Sequence, residues 1–116
     1  MSAMAPVSRP GSAAEASAFA LATLSPERCE ARGALTFATA RLARKQGLMA
    51  LRNAGRELSI DCGAISQADS AGLAVLLDWL AEARRAGCAL HLLHLPQNLL
   101  ALARISAVEE LLQKGV

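Results

Sequence analysis

The stretch from Leu58 to Leu73 limits the possible folds of this chain more than any other, because a strand pattern runs straight into a helix start. Leu58, Ile60 and Cys62 alternate with Ser59 and Asp61, the period of a strand with one buried face. Asp69-Ser70-Ala71-Gly72-Leu73 follows. Asp69 is a good N-cap, since its carboxylate can accept from the amides two or three residues on. Ser70 then falls in the first helical turn, with its hydroxyl facing solvent beside free backbone amides. A strand feeding a capped helix in this way belongs to an α/β layer arrangement.

The flanking segments extend that pattern. Residues 1–17 contain only Ala, Ser, Met, Pro, Val, Arg, Gly and a single Glu, without a period, and read as a mobile N-terminal leader ahead of a domain over 18–116. Residues 18–24 and 28–32 form an alanine-rich hairpin around Ser25-Pro26-Glu27. Leu35, Ala38, Leu42, Ala43, Leu48, Met49 and Leu51 fit a helical stripe over 35–52, interrupted at Gly47 and closed by Asn53-Ala54-Gly55. A central strand is expected over 57–62, and a second helix from Ser70 to Ala86, ended by Gly87. The core stripe of that helix is Leu73, Leu76, Leu77, Leu80 and the aliphatic stem of Arg84. At about 100° per residue, Val75 falls almost opposite the stripe, with Ala71, Asp78 and Glu82 near it, and Trp79 lies at its edge. Residues 89–95 read as a parallel strand, Pro96 opens a helix over 97–103, and 107–112 adds a last short helix.

Composition narrows the function classes. A length of 116 residues with 53% hydrophobic content suits one core. A net charge of +2, from 12 basic and 10 acidic residues, together with two Phe, one Trp and no Tyr, supplies neither a basic surface nor stacking platforms for nucleic acid. The three cysteines, Cys29, Cys62 and Cys88, lack CxxC spacing and sit in strand-like segments as small apolar groups, which points to a reducing compartment. Neither a signal-peptide pattern nor an apolar run of membrane-spanning length is present, so a membrane role is expected to come through a partner.

Asp69-Ser70-Ala71-Gly72-Leu73 after a short buried strand resembles the signature of the STAS domain family. The runs Leu76-Leu77-Asp78-Trp79-Leu80-Ala81-Glu82-Ala83-Arg84-Arg85-Ala86-Gly87 and Leu95-Pro96-Gln97-Asn98-Leu99-Leu100-Ala101-Leu102-Ala103-Arg104 are similar to its MlaB-type branch. The resemblance covers residues 18–113, is best from Leu58 onward and is loose before Gly33. It implies an α/β fold of STAS type (SpoIIAA-like), a small mixed sheet with helices packed on it. It also implies a cytoplasmic accessory subunit of an ABC transporter that moves phospholipid between the membranes of a Gram-negative envelope and maintains outer-membrane lipid asymmetry. Such a subunit docks on an MlaF-like ATPase subunit, in a complex with permease and substrate-binding subunits, and lies peripheral to the inner membrane. The partner-binding surface expected on this basis is Asp69, Ser70, Ala71, Ala74, Val75 and Asp78. The alternative within the same family is an anti-sigma-factor antagonist switched by phosphorylation of Ser70.

Other chemistry finds less support. His91 and His94, three residues apart on one strand, are expected on opposite faces, and no zinc-ligand spacing is present, so no metal is assigned. Gly63 and Gly72 match neither GxxxxGK[ST] nor GxGxxG, and no cysteine has a sequence-evident base. Asp61, at a strand end, reads as a structural carboxylate bonding loop amides. A binding protein with no catalytic residue and no cofactor is therefore expected. Arg84-Arg85 and Arg41, Arg44 and Lys45 read as solvated helix faces.

Overall fold

A computed structural model describes residues 18–115, so the leader expected over 1–17 lies outside the described residues. The elements run β1 (Phe19–Ser25), β2 (Arg28–Leu35), α1 (Ala40–Ala54), β3 (Glu57–Ala68), α2 (Ser70–Ala86), β4 (Ala89–Leu93), α3 (Gln97–Ile105) and α4 (Glu109–Lys114). The strands form one mixed sheet in the order β1-β2-β3-β4, antiparallel at β1/β2 and parallel at β2/β3 and β3/β4. The hairpin forms despite its alanines because β2 also pairs with β3, with Cys29 opposite Ile60, and tertiary pairing outweighs strand propensity.

One sheet face is apolar and covered. Leu58, Ile60 and Cys62 of β3 are fully buried, as is Leu90 of β4, and they pack with α1, α2, Leu99 of α3 and Leu112 of α4. The alternate residues Glu57, Ser59, Asp61 and His91 stay partly or fully exposed, so the second face is a polar surface.

Several boundaries differ from the sequence reading, each for a tertiary reason. Leu35 ends β2 instead of opening a helix, and α1 starts only at Ala40. Gly47 does not interrupt α1, because the glycine is where Trp79 fits: a Cβ there would lie 2.1 Å from the indole Nε1. Strand β3 runs on to Ala68, since β2 stays beside it through register shifts that end with Leu35 opposite Ala68. Strand β4 stops at Leu93, and His94, at φ 56°, turns back toward β3. His91 and His94 therefore do not point to opposite faces. They meet Glu57 at 3.7 Å and Asp61 at 3.1 Å, and those carboxylates sit at alternate positions of β3 on the same face. Helix α2 begins and ends as its sequence indicates, with Gly87 in the left-handed region donating its N–H to the last-turn carbonyls.

Candidate functional site

The candidate site is built where β2 and β3 end, the carboxyl edge at which α/β folds commonly place ligands. Asp69 organises it. Its side chain accepts from the Gly72 amide at 3.0 Å, the N-cap bond, and from the Phe37 amide at 3.1 Å across the chain. Partial burial pushes the Asp69 carboxyl up, but the Phe37, Gly72 and Ala71 amides outweigh it and hold the pKa below the usual carboxylate value. Gly72 lets the two elements meet, since a Cβ there would lie 2.0 Å from the Leu35 carbonyl oxygen. Asn98, on the first turn of α3, donates to the Ala68 carbonyl at 3.2 Å and ties the third element to the same edge.

The loop between β2 and α1 is pinned from its own side as well. Thr39, only 7% exposed, accepts from the Thr36 amide at 3.0 Å and donates to the Ala34 carbonyl at 2.7 Å. This polar frame holds Phe37 outward at 84% exposure, although the other two aromatic rings, Phe19 and Trp79, are buried. Sequence reasoning missed Phe37 by placing it inside a helix. The signal was the pair Thr36 and Thr39, residues that bond local backbone and favour turns and caps.

Of the expected surface, Ser70, Ala74 and Asp78 are exposed, and Asp69 and Ala71 are partly buried. Val75 is not on that surface. It is 3% exposed and belongs to the core, as does Trp79, which is fully buried. The stripe of Leu73, Leu76 and Leu80 assumes burial by the sheet alone, whereas α1 also packs against α2 and widens the buried face toward Val75 and Trp79. Leu77, expected in the core stripe, is correspondingly only half-buried. Asp78 reaches Arg44 of α1 at 3.2 Å, an exposed ion pair that joins the helices at the rim of the site.

The remaining chemistry-bearing residues lie elsewhere. Burial pushes the Cys62 thiol up to about 12, and it also raises the Cys29 and Cys88 thiols, so all three are poor nucleophiles. Asp61 is held low first by the Gly63 amide, with His94 adding to it. Among the described residues, no group of three or more His, Cys, Asp or Glu side chains is placed to hold a metal ion. What the site presents to solvent is the Ser70 hydroxyl, the small side chain of Ala74, the Asp78 carboxylate and the Phe37 ring.

The fold defines a class of small α/β domain, a four-stranded mixed sheet covered on one face by helices. The chain belongs to the family described as "Mlab, STAS domain", which matches residues 22–113. Among solved structures it is similar to the anti-sigma-factor antagonist SpoIIAA in its unphosphorylated form, at TM-score 0.62 and 18% identity, over 79% of this chain and 83% of that one. That likeness is one of fold. No curated protein matches the chain in sequence. STAS proteins are generally binding or regulatory domains, in keeping with the site.

Proposed function

We propose that this chain is a non-catalytic STAS accessory subunit of an ABC transporter for intermembrane phospholipid transport. In this reading it docks on the cytoplasmic ATPase subunit through the face around Ser70 and supports assembly and activity of the complex. The observation that carries the reading is the exposed run Ser70, Ala74 and Asp78 along α2, anchored by Asp69, in a chain matched over residues 22–113 by the family whose description cites MlaB. Small side chains at these positions let a partner approach the helix closely. Among the described residues no helix is long and apolar enough to cross a membrane, so association with the inner membrane would run through the ATPase and its permease.

The test is the affinity of the purified protein for the ATPase subunit of the Mla-type transporter from the same cells. Ser70→Glu and Ala74→Asp each place a carboxylate on the face, and each is expected to weaken docking at least about tenfold. Unchanged affinity in both variants would remove this surface from consideration. A second reading rests on the exposure of Ser70 in the first turn of α2, where a phosphate would add about −1.5 to −2 charge at a helix N-terminus. In it the chain is an anti-sigma-factor antagonist, and a soluble kinase-like partner with phosphorylated Ser70 in cells would favour it over the transporter.

A further inference from the structure

Helix α1 carries Arg41, Arg44, Lys45 and Arg52, four of the chain's 12 cations, and no acidic residue. Their spacings of three, four and seven place them on one helix face, where with Leu48 and Met49 they border an open space of about 460 Å³ between side chains of α1 alone. Arg44 is engaged by Asp78 of α2. Arg41, Lys45 and Arg52 are exposed and have no ion-pair partner among the described residues. In a chain of net charge +2, this is a local surplus that Asp78 offsets at Arg44 and that the Glu82 carboxylate of α2 offsets only in part at Arg44 and Arg52. The face begins one turn after the loop that holds Phe37 outward, and Arg44 and Asp78 join it to the Ser70 side of α2.

We infer that this face docks an acidic segment of a protein partner, with Phe37 as the aromatic anchor at one end. The inference rests on the reading above, in that the partner is the ATPase subunit, and it adds the chemistry that the partner surface must have. Charge complementarity selects an acidic occupant, since three unpaired cations lose little by being covered with carboxylates and much by being covered with apolar surface. Carboxylate side chains of a docked segment can enter the open spaces between these side chains, and the ATPase reading makes that segment part of a protein. A lone exposed ring beside a polar rim is the composition of an interface hot spot.

The experiment titrates ATPase affinity against salt for the full chain and two variants. Wild-type affinity is expected to fall at least about tenfold between about 50 and 300 mM salt, where screening shortens from about 14 Å to under 6 Å. Arg41→Glu/Lys45→Glu/Arg52→Glu is expected to lose at least about tenfold at low salt and to flatten the salt dependence. Phe37→Ala is expected to lose a similar factor while keeping the wild-type salt dependence. The triple Gln version, which keeps helix propensity, repeats the charge test should the triple Glu variant fail to fold. Wild-type affinity and salt slope in the charge variants, alongside weakened binding by Ser70→Glu, would overturn this inference and leave the docking reading standing. Failure of the unmodified chain to bind the ATPase would overturn both. Loss of binding to phosphatidylglycerol vesicles, with ATPase affinity intact, would assign the face to lipid and overturn the inference.

Discussion

Helix α2 is gripped at two places by different physics. Along its flank it meets α1 through shape: Trp79 fills the space that Gly47 leaves open and reaches Phe19 of β1, with ring centroids 6.4 Å apart and planes tilted by 50°. At its N-terminus it meets the loop between β2 and α1 through hydrogen bonds, with one carboxylate of Asp69 shared between Gly72 and Phe37. The seam depends on volume and is indifferent to pH. The joint depends on the Asp69 charge together with the missing Cβ of Gly72, and leaves Ser70 and Phe37 exposed. Among the described residues the Trp79 Nε1 atom has no hydrogen-bond partner, so there even the polar atom of the seam is held by packing.

The contrast is broken most severely at Trp79. Trp79→Ala empties a fully buried site between α1 and the sheet, and is expected to cost about 3–5 kcal/mol, read as a lowered denaturation midpoint. Val75→Asp belongs to the same class, because it buries an unpaired carboxylate at a position 3% exposed, and is expected to unfold much of the population. It is a stability variant and does not probe the docking face. Gly47→Ala follows, at about 1–3 kcal/mol, since the new methyl must displace the indole. Adding Trp79→Leu to Gly47→Ala is expected to cost less than the two single losses combined, and a sum equal to the parts would show that the residues do not share one space.

At the joint, Asp69→Asn keeps an oxygen for the Gly72 cap bond but loses the acceptor that Phe37 uses, and is expected to cost about 1 kcal/mol and to speed hydrogen exchange at the Phe37 amide selectively. Its pH signature sharpens the comparison. The folded pKa of Asp69 lies below its unfolded value, so its contribution is present above the unfolded pKa and is lost as pH falls through the folded one. Wild-type protein should therefore lose this increment on acidification below the ordinary aspartate range, and the Asn variant should not. An equal acid response in both proteins would remove Asp69 as the source. The smallest effect is expected at Ala74→Asp, which should leave stability within about 0.5 kcal/mol while weakening docking, because the position is exposed.

Legibility in the sequence followed the same division. The cap Asp69, the exposed Ser70 and the stop at Gly87 are local features, and the structure bears out all three. The burial of Val75 and Trp79 was not legible, because a helical wheel centred on Leu73, Leu76 and Leu80 describes one packing surface and α2 has two. Phe37 was hidden for a related reason: its apolar, helix-compatible surroundings masked a turn that Thr39 and a carboxylate 32 residues away hold in place. The turn of His94 toward Asp61 likewise depends on a contact across 33 residues.

Alternation in Leu58-Ser59-Ile60-Asp61-Cys62 and the capped start at Asp69 determined an α/β chain with a hydroxyl at a strand-to-helix joint, because both are set by neighbouring residues and backbone geometry. Only the tertiary structure decided which side of α2 is outside, where α1 begins, and that the Phe37 amide is tied to Asp69 at the start of α2. Those outcomes depend on which elements pack together, and burial is a property of the partner surface as much as of the residue.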